Sequence, residues 1–299
     1  MSATAIRLES RGVIAVSGEQ RVEFLQGIVT NDMGKLGPER ALYAALLTPQ
    51  GKYLFDFFMI AEGERILLDC EAARRDDLMR RLMLYRLRAR VEITDVTSGQ
   101  AVWAVLDADP AALPAEAGAA QRLAGGIVYR DPRTAAIGWR AVLPADVVPA
   151  YPAGGIASYE TRRIALGLAD GSRDLEVEKT LALEANLDLL GAIDFDKGCY
   201  VGQEITARTK HRGKVRKRLL PIEVAGSEAP VRGMAVMAGD KRVGEIRSVR
   251  GTSAIALMRL EDVAAAPALS LEKDGRPVRI RRPDWTRGLA PLDEIGPAA

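Results

Sequence analysis

The chain has 299 residues, a length that suits two or three domains better than one core. Hydrophobic residues make up 48% and charged residues 27%, and the formal net charge is only +2, so no global field favours nucleic acid or a membrane surface. Two cysteines and one histidine exclude a disulfide framework, a four-thiolate cluster built by this chain alone, and a zinc site made from its own His and Cys.

The chain carries no pattern typical of export or membrane insertion. Residues 1–11 lack the basic region and continuous apolar stretch of a signal peptide. The longest apolar runs, such as residues 54–60, are too short to cross a bilayer. We therefore expect a cytoplasmic protein with no membrane partner.

The first third of the sequence predicts strands mixed with helices. Strands are expected at residues 13–16, 41–47, 53–60, 66–70, 91–93 and 101–106, with a strand–turn–strand unit around residues 49–52. A first helix is indicated by apolar residues at helical spacing: Val22, Leu25, Ile28 and Val29. A second, at residues 76–87, has the predicted apolar stripe Leu78, Leu82, Met83 and Leu87. This mixture favours an α+β fold over a doubly wound parallel sheet.

The remainder divides into a second mixed region and a strand-rich end. Residues 109–126 and 144–155 are rich in Ala, Pro and Gly and are interpreted as loops, residues 158–168 as a helix, and residues 181–190 as helix or extended chain. From residue 219 short strands alternate with turns, including the hairpin turn Asp274-Gly275, which predicts a C-terminal β-barrel. The predicted domains are 1–107, 108–218 and 219–299.

Cys199 is the first candidate for chemistry. It lies between Gly198 and Gly202, just before Gln203-Glu204, which we interpret as the first turn of a helix. A helix N-terminus and the nearby Lys197 both favour the thiolate, the form that attacks electrophiles and binds metals. The alternative is a buried structural cysteine, which is the commoner fate of a free cysteine.

Asp56 is the second candidate, because alternation places it on the same strand face as Leu54, Phe58 and Ile60. A carboxylate on an apolar face is costly unless it is paired or lines a cavity, where it can hydrogen-bond a polar ring or take a proton. A solvated strand face and an ion pair with an arginine are the alternatives.

A basic run at residues 208–218 is the third feature: Arg208, Lys210, His211, Arg212, Lys214, Arg216, Lys217 and Arg218. It could contact RNA phosphates or a polyanionic tail, although most charge runs are solvated surface. The aromatic residues of a single-strand stacking platform are missing, so direct RNA binding is the least favoured function. Common nucleotide-binding and hydrolase motifs do not occur in the sequence.

Residues 197–204, Lys-Gly-Cys-Tyr-Val-Gly-Gln-Glu, closely resemble the signature of the YgfZ family, relatives of the T-protein of the glycine cleavage system. We call these residues the signature segment. Further similarity covers most of the chain, at Phe24-Leu25-Gln26-Gly27, Thr30-Asn31-Asp32, Thr48-Pro49-Gln50-Gly51-Lys52, Tyr85-Arg86-Leu87-Arg88 and Arg163-Ile164-Ala165-Leu166-Gly167. The resemblance implies a multidomain α+β T-protein-like body with mixed and antiparallel sheets, a central folate cavity and a C-terminal β-barrel.

The resemblance also implies a function. Family members bind tetrahydrofolate and help to assemble or repair iron–sulfur clusters, notably in radical-SAM enzymes that modify tRNA. The expected partners are therefore iron–sulfur client enzymes or cluster-assembly proteins, and the expected cofactor is tetrahydrofolate, with or without a polyglutamate tail. The alternative is a folate-dependent enzyme of one-carbon metabolism that resembles an aminomethyltransferase. Ala165 stands where T-proteins carry a glutamate that holds the folate ring, which weakens that alternative.

The site residues that follow fall into two groups, and no metal site is expected. Cys199 is the functional thiol, with Lys197 acting beside it. The residues expected to contact folate are Asp56, Tyr53, Asn31, Gly198, Tyr200, Gly202, Gln203, Glu204 and Arg208.

Overall fold

A computed structural model describes residues 2–287 and 289. Its strands, in chain order, are β1 Thr4–Arg7, β2 Arg11–Ser17, β3 Leu42–Leu47, β4 Tyr53–Glu62, β5 Arg65–Glu71, β6 Glu92–Asp95, β7 Gln100–Leu106, β8 Ala120–Leu123, β9 Gly126–Arg130, β10 Trp139–Pro144, β11 Lys217–Val224, β12 Ala235–Ala238, β13 Lys241–Arg250, β14 Ser253–Arg259, β15 Leu269–Leu271 and β16 Pro277–Ile280. The helices are α1 Arg21–Gln26, α2 Arg75–Arg86, α3 Ile156–Ala165, α4 Gln203–His211 and α5 Leu260–Ala265.

Two five-stranded antiparallel sheets form the body of the protein. The first has the strand order β3-β4-β5-β2-β6 and the second the order β1-β7-β10-β9-β8. Alternation along β4 sends Phe58 and Ile60 into the core shared with the second sheet, and sends Phe57 and Met59 into the core under α1 and α2. Asp56, two residues before Phe58, therefore faces the second sheet.

The third unit is a closed six-stranded barrel with the order β11-β14-β13-β12-β15-β16 and an apolar core of its own. Closure removes the exposed strand edges of so small a sheet. The predicted α+β class and C-terminal barrel are both confirmed. The barrel starts at Lys217 instead of residue 219, and positions 288 and 290–299 of the predicted domain lie outside the described residues.

Several sequence-based boundaries differ from the structure. The second sheet crosses the boundary predicted at residue 107, because β1 and β7 precede that residue and pair with each other and with β10. The predicted loop at residues 109–126 contains β8. Residues 181–190 form successive turns, neither helix nor strand.

Two of the four residues predicted to form the buried apolar stripe of the second helix are exposed. Leu78 and Leu82 are fully buried, as expected, but Met83 and Leu87 are exposed. Only the Leu78 side of α2 packs against the first sheet, so the helical period alone overestimated the buried face.

Candidate functional site

The structure exposes Cys199 to solvent and buries both of its anchored neighbours. The Nζ of Lys197 donates hydrogen bonds to the carbonyl oxygens of Gln26 at 2.8 Å, Val29 at 2.7 Å and Asn31 at 2.8 Å. The same ammonium lies 5.2 Å from the ring centre of Tyr200, which is also buried. These hydrogen bonds hold the signature segment against the end of α1 and the chain that follows it. The Cys199 thiol, between the buried residues Lys197 and Tyr200, is exposed.

Burial governs the titration of these anchors. Loss of hydration lowers the pKa of Lys197 to about 8, although the charges of Asp32 and Asp194 act in the opposite direction. Burial raises the pKa of Tyr200 to about 12. Since the Lys197 ammonium donates hydrogen bonds to three carbonyl groups, these contacts position the signature segment. The idea that it also acts on the thiol stays a prediction.

Close backbone approach explains one glycine of the signature segment. Gly202 is the N-cap of α4 with a φ of +88°, and a Cβ there would lie 2.5 Å from the carbonyl oxygen of Thr48. Gly51, with a φ of +71°, faces the same helix, and its Cβ would lie 3.0 Å from Thr206 Oγ1. A Cβ on Gly198, by contrast, would meet nothing within 4 Å. The turn between β3 and β4 therefore packs directly on the start of α4.

Asp56 is buried at 5% exposure and is held by two phenols. Tyr53 donates its hydroxyl hydrogen to Oδ1 at 2.7 Å, and Tyr43 donates to Oδ2 at 2.9 Å. Burial raises the pKa of Asp56, while Arg11 and the two tyrosines oppose that rise. A carboxyl in this position can accept further hydrogen bonds or hold a proton.

Asp56 lines a cavity of about 410 Å³ between the two sheets, which we call the Asp56 cavity. The volume falls in the range of small-molecule sites. Its charged wall is internally paired: Arg11 Nε and Arg140 Nη2 both lie 2.6 Å from the carboxylate of Asp69. Burial would raise the pKa of Asp69, but the two guanidinium groups hold it below the ordinary value.

A second feature of that wall is a ring surrounded by cations. The Phe58 ring centre lies 4.1 Å from the Arg140 guanidinium carbon, 4.9 Å from that of Arg133 and 5.7 Å from that of Arg11. These arginines come from different strands and loops, so sequence reasoning missed them. A charged residue inside an apolar strand, such as Asp69 in β5, was the available signal.

The predicted contact residues do not share one cavity. None of the residues that line the Asp56 cavity belongs to the signature segment. Asn31 uses its amide nitrogen to bind the carbonyl oxygens of Tyr43 at 2.8 Å and Gly191 at 2.9 Å. Its role in the described structure is therefore to join chain segments.

Two other predicted positions lie in further cavities. Arg208 lines a basic groove of about 450 Å³ beside α4, together with Gly51, Glu184 and Arg212. Ala165, the position of the T-protein glutamate, lines a cavity of about 660 Å³ against the barrel. Gln203 begins α4, and Glu204 is exposed in its first turn.

Neither a metal centre nor a transmembrane helix is found among the described residues. No group of three or more His, Cys, Asp or Glu side chains there is placed to hold a metal ion. Within the same part of the chain, no helix combines the length and apolar character needed to span a membrane.

Comparison with known proteins decides the family. Residues 2–110 match the GCVT N-terminal domain, and residues 216–288 match the CAF17 C-terminal beta-barrel domain. The human mitochondrial iron-sulfur cluster assembly factor IBA57 is 34% identical, and the alignment covers 93% of this chain and 84% of the relative. The chain belongs to the IBA57 family of iron–sulfur cluster assembly factors. The mouse member is also 34% identical, with 87% and 78% of the two chains covered.

The solved structures show the fold of this IBA57-family chain. Glycine cleavage system aminomethyltransferase T from Bartonella henselae superposes with a TM-score of 0.77, covering 95% of this chain and 86% of that one. The identity is only 16%, so the likeness speaks for fold alone. The predicted T-protein-like architecture is confirmed.

One prediction is overturned by the same relatives. Human and mouse IBA57, and the homologue from Mycosarcoma maydis, are named as mitochondrial proteins. The predicted cytoplasmic location is therefore wrong. The lack of a signal peptide at residues 1–11 and of a long apolar run does not distinguish a cytoplasmic protein from a mitochondrial one.

Proposed function

We propose that this chain is an iron–sulfur cluster assembly factor whose working group is the Cys199 thiol. The observation that carries the proposal is the contrast within the signature segment: Lys197 and Tyr200 are buried and fastened, and Cys199 between them is exposed. An accessible sulfur on a rigid support can reach a ligand held by another molecule. The family of named cluster assembly factors supports this reading.

The proposal requires a partner. The second cysteine, Cys70, is buried, and burial raises the pKa of its thiol to about 12, which keeps it protonated. This chain can therefore offer one sulfur at most to a cluster in transit. The other ligands must come from a second protein or a small thiol. Cluster-assembly proteins and iron–sulfur client enzymes, such as radical-SAM enzymes that modify tRNA, fit that requirement.

A cellular assay tests the thiol. In cells that lack the chain, Cys199→Ser should fail to restore the activity of a radical-SAM iron–sulfur enzyme, whereas wild type restores it. Cys70→Ala is the matched control and should restore activity, provided that its abundance equals that of wild type. Full activity with Cys199→Ser at normal abundance would refute the role of this thiol.

We further propose that the Asp56 cavity binds tetrahydrofolate. The side chains present fit such a ligand: the donor edge of a pterin ring pairs well with a carboxylate, and Asp56 keeps acceptor sites beyond those used by Tyr43 and Tyr53. Two half-exposed arginines of the cavity wall would meet the carboxylates of the folate tail in exchange for their present partners: Arg7 pairs with Glu9, and Arg173 pairs with Glu160 and Asp170. When bound, the cofactor would supply one-carbon chemistry.

Calorimetric titration with tetrahydrofolate tests this second proposal. Binding should weaken at least tenfold in Asp56→Asn, because the amide offers one acceptor oxygen in place of two. Arg212→Ala, in the basic groove, serves as the control and should leave binding of monoglutamyl tetrahydrofolate unchanged. Absence of binding to wild type would reject folate as the ligand and leave the Cys199 proposal standing.

One observation favours a second function, aminomethyl transfer. The raised pKa of Asp56 suits a group that positions or deprotonates a reacting amine. Incubation with tetrahydrofolate and an aminomethyl-loaded carrier protein would decide it. Turnover that disappears in Asp56→Asn would establish an enzyme, and the lack of turnover by wild type would exclude one.

A further inference from the structure

Helix α2 presents an apolar surface to solvent. Met83 is 50% exposed, Leu84 is 69% exposed and Leu87, directly after the helix, is 85% exposed. The separations of three and four positions place these side chains close together. We call Met83, Leu84 and Leu87 the α2 ridge. Neither the cluster assembly role of Cys199 nor the Asp56 cavity uses it.

The backbone at the end of the ridge is also unusual. Leu87 has φ 45° and ψ −106°, a positive-φ conformation that residues with a Cβ rarely adopt. A leucine here is unfavourable for the backbone, and its side chain gains almost no burial in return. Folding of the described chain therefore gives no reason for this residue, which indicates a contact outside the chain.

Arginines dominate the segment that carries the ridge. Residues 78–91 contain five arginines and no aspartate or glutamate. Arg80 pairs with Asp77 and Arg90 with Glu19. The other three form no ion pair within the part of the chain that the structure describes: Arg81, Arg86 and Arg88. An occupant of the ridge must therefore bring an apolar surface with negative charge around it.

We propose that the α2 ridge is the docking surface for a partner protein that presents an apolar surface flanked by carboxylates. All five cations are arginines, and lysine is absent from residues 78–91. Arginine binds carboxylates through two parallel hydrogen bonds and is enriched at protein interfaces, where lysine is depleted. A second copy of this chain is disfavoured, because ridge-to-ridge contact would oppose arginines with arginines.

Fluorescence anisotropy with the full chain tests the proposal. The probe is a labelled synthetic helical peptide with leucines on one face and glutamates on both flanks. Binding should weaken as salt is added, and Leu84→Ser/Leu87→Ser should weaken it at least tenfold. Both positions are exposed, so the thermal transition of this variant should match that of wild type. Arg81→Glu/Arg88→Glu should lower affinity by a similar factor.

Matched controls distinguish binding at the ridge from nonspecific hydrophobic binding and from binding in the basic groove beside α4. Leu123→Ser/Val148→Ser removes two other exposed apolar residues and should leave binding unchanged, as should Arg212→Glu in the groove. Equal binding by wild type and Leu84→Ser/Leu87→Ser would overturn the proposal. Sedimentation with phosphatidylglycerol vesicles that depends on the ridge, without peptide binding, would also overturn it. A wild-type dimer that dissociates in the Leu84→Ser/Leu87→Ser variant would do the same.

Discussion

The anchoring of Lys197 gives the sharpest test of the signature segment. Lys197→Met keeps most of the side-chain volume and removes three hydrogen bonds of 2.7–2.8 Å from an ammonium to buried carbonyls. Hydrogen bonds to a charged group contribute about 1.5–3 kcal/mol each, and the burial of the ammonium offsets several kcal/mol of that sum. Because three carbonyl oxygens lose their donor, we expect a net destabilisation of about 3 kcal/mol.

Urea unfolding followed by circular dichroism measures this change. Lys179→Met is the control, since its Nζ lies 3.4 Å from a carboxylate oxygen of Glu176 and the two side chains are 76% and 40% exposed. That surface pair should contribute no more than about 0.5 kcal/mol. A Lys197→Met protein within about 0.5 kcal/mol of wild type would refute the anchoring argument, since a net hydrogen bond alone contributes more.

Three further predictions concern other buried and exposed groups. Burial raises the pKa of Asp56 above its ordinary 3.8, so the folded state binds the carboxyl proton more tightly than the unfolded state does. In urea titrations, the unfolding free energy of wild type relative to that of Asp56→Asn should therefore fall as the pH rises from about 4. A difference that stays constant with pH would contradict this. Asp69→Asn leaves two buried guanidinium groups without their carboxylate and should cost about 3–5 kcal/mol in the same assay, whereas Asp107→Asn, in a partly exposed pair, should cost less than about 1 kcal/mol. Ellman's reagent should titrate Cys199 alone in the native protein and Cys70 as well in urea; two native thiols would contradict the burial of Cys70.

Local pattern was sufficient for most of the fold. Alternation and turn residues predicted β2 to β7 and the strand-rich barrel, and Gly275, with a φ of +67°, confirms the hairpin turn predicted from Asp274-Gly275. Strands β8 to β10 were not predicted, because they lie within or after residues 109–126, which are rich in Ala, Pro and Gly. One of them begins at Gly126, where a Cβ would lie 2.2 Å from the carbonyl oxygen of Val142. That close approach depends on a pairing that sequence alone does not reveal.

The candidate site was predictable only in its outline. Alternation placed Asp56 on an apolar face but left three environments open: a cavity, an ion pair and solvent. The pairing of β3 with β4 decides among them, because it brings Tyr43 within reach of the carboxyl beside Tyr53. The Arg11–Asp69–Arg140 cluster needs contacts between residues 58 to 71 positions apart, which no local window contains. Such nonlocal contacts are what sequence reasoning missed.

Substitution of Gly202 tests whether the signature segment needs a glycine there for close packing against the backbone of Thr48. Gly202 and Gly63 both have positive φ, so replacement by alanine should cost each about 1 kcal/mol in backbone energy. A Cβ at Gly63 meets nothing within 4 Å, whereas at Gly202 it would lie 2.5 Å from the Thr48 carbonyl oxygen. Gly202→Ala should therefore lose about 2 kcal/mol more than Gly63→Ala on unfolding in urea.

The same pair of variants separates packing from ligand access. Displacement of the turn at Thr48 from the start of α4 should change the rate at which iodoacetamide alkylates Cys199, while Gly63→Ala should leave that rate at the wild-type value. Equal stability losses and equal alkylation rates would mean that the glycine does not serve contact between the two backbones. Gly202 would then have to serve the approach of another molecule, as Gly198, with open space around it, is free to do.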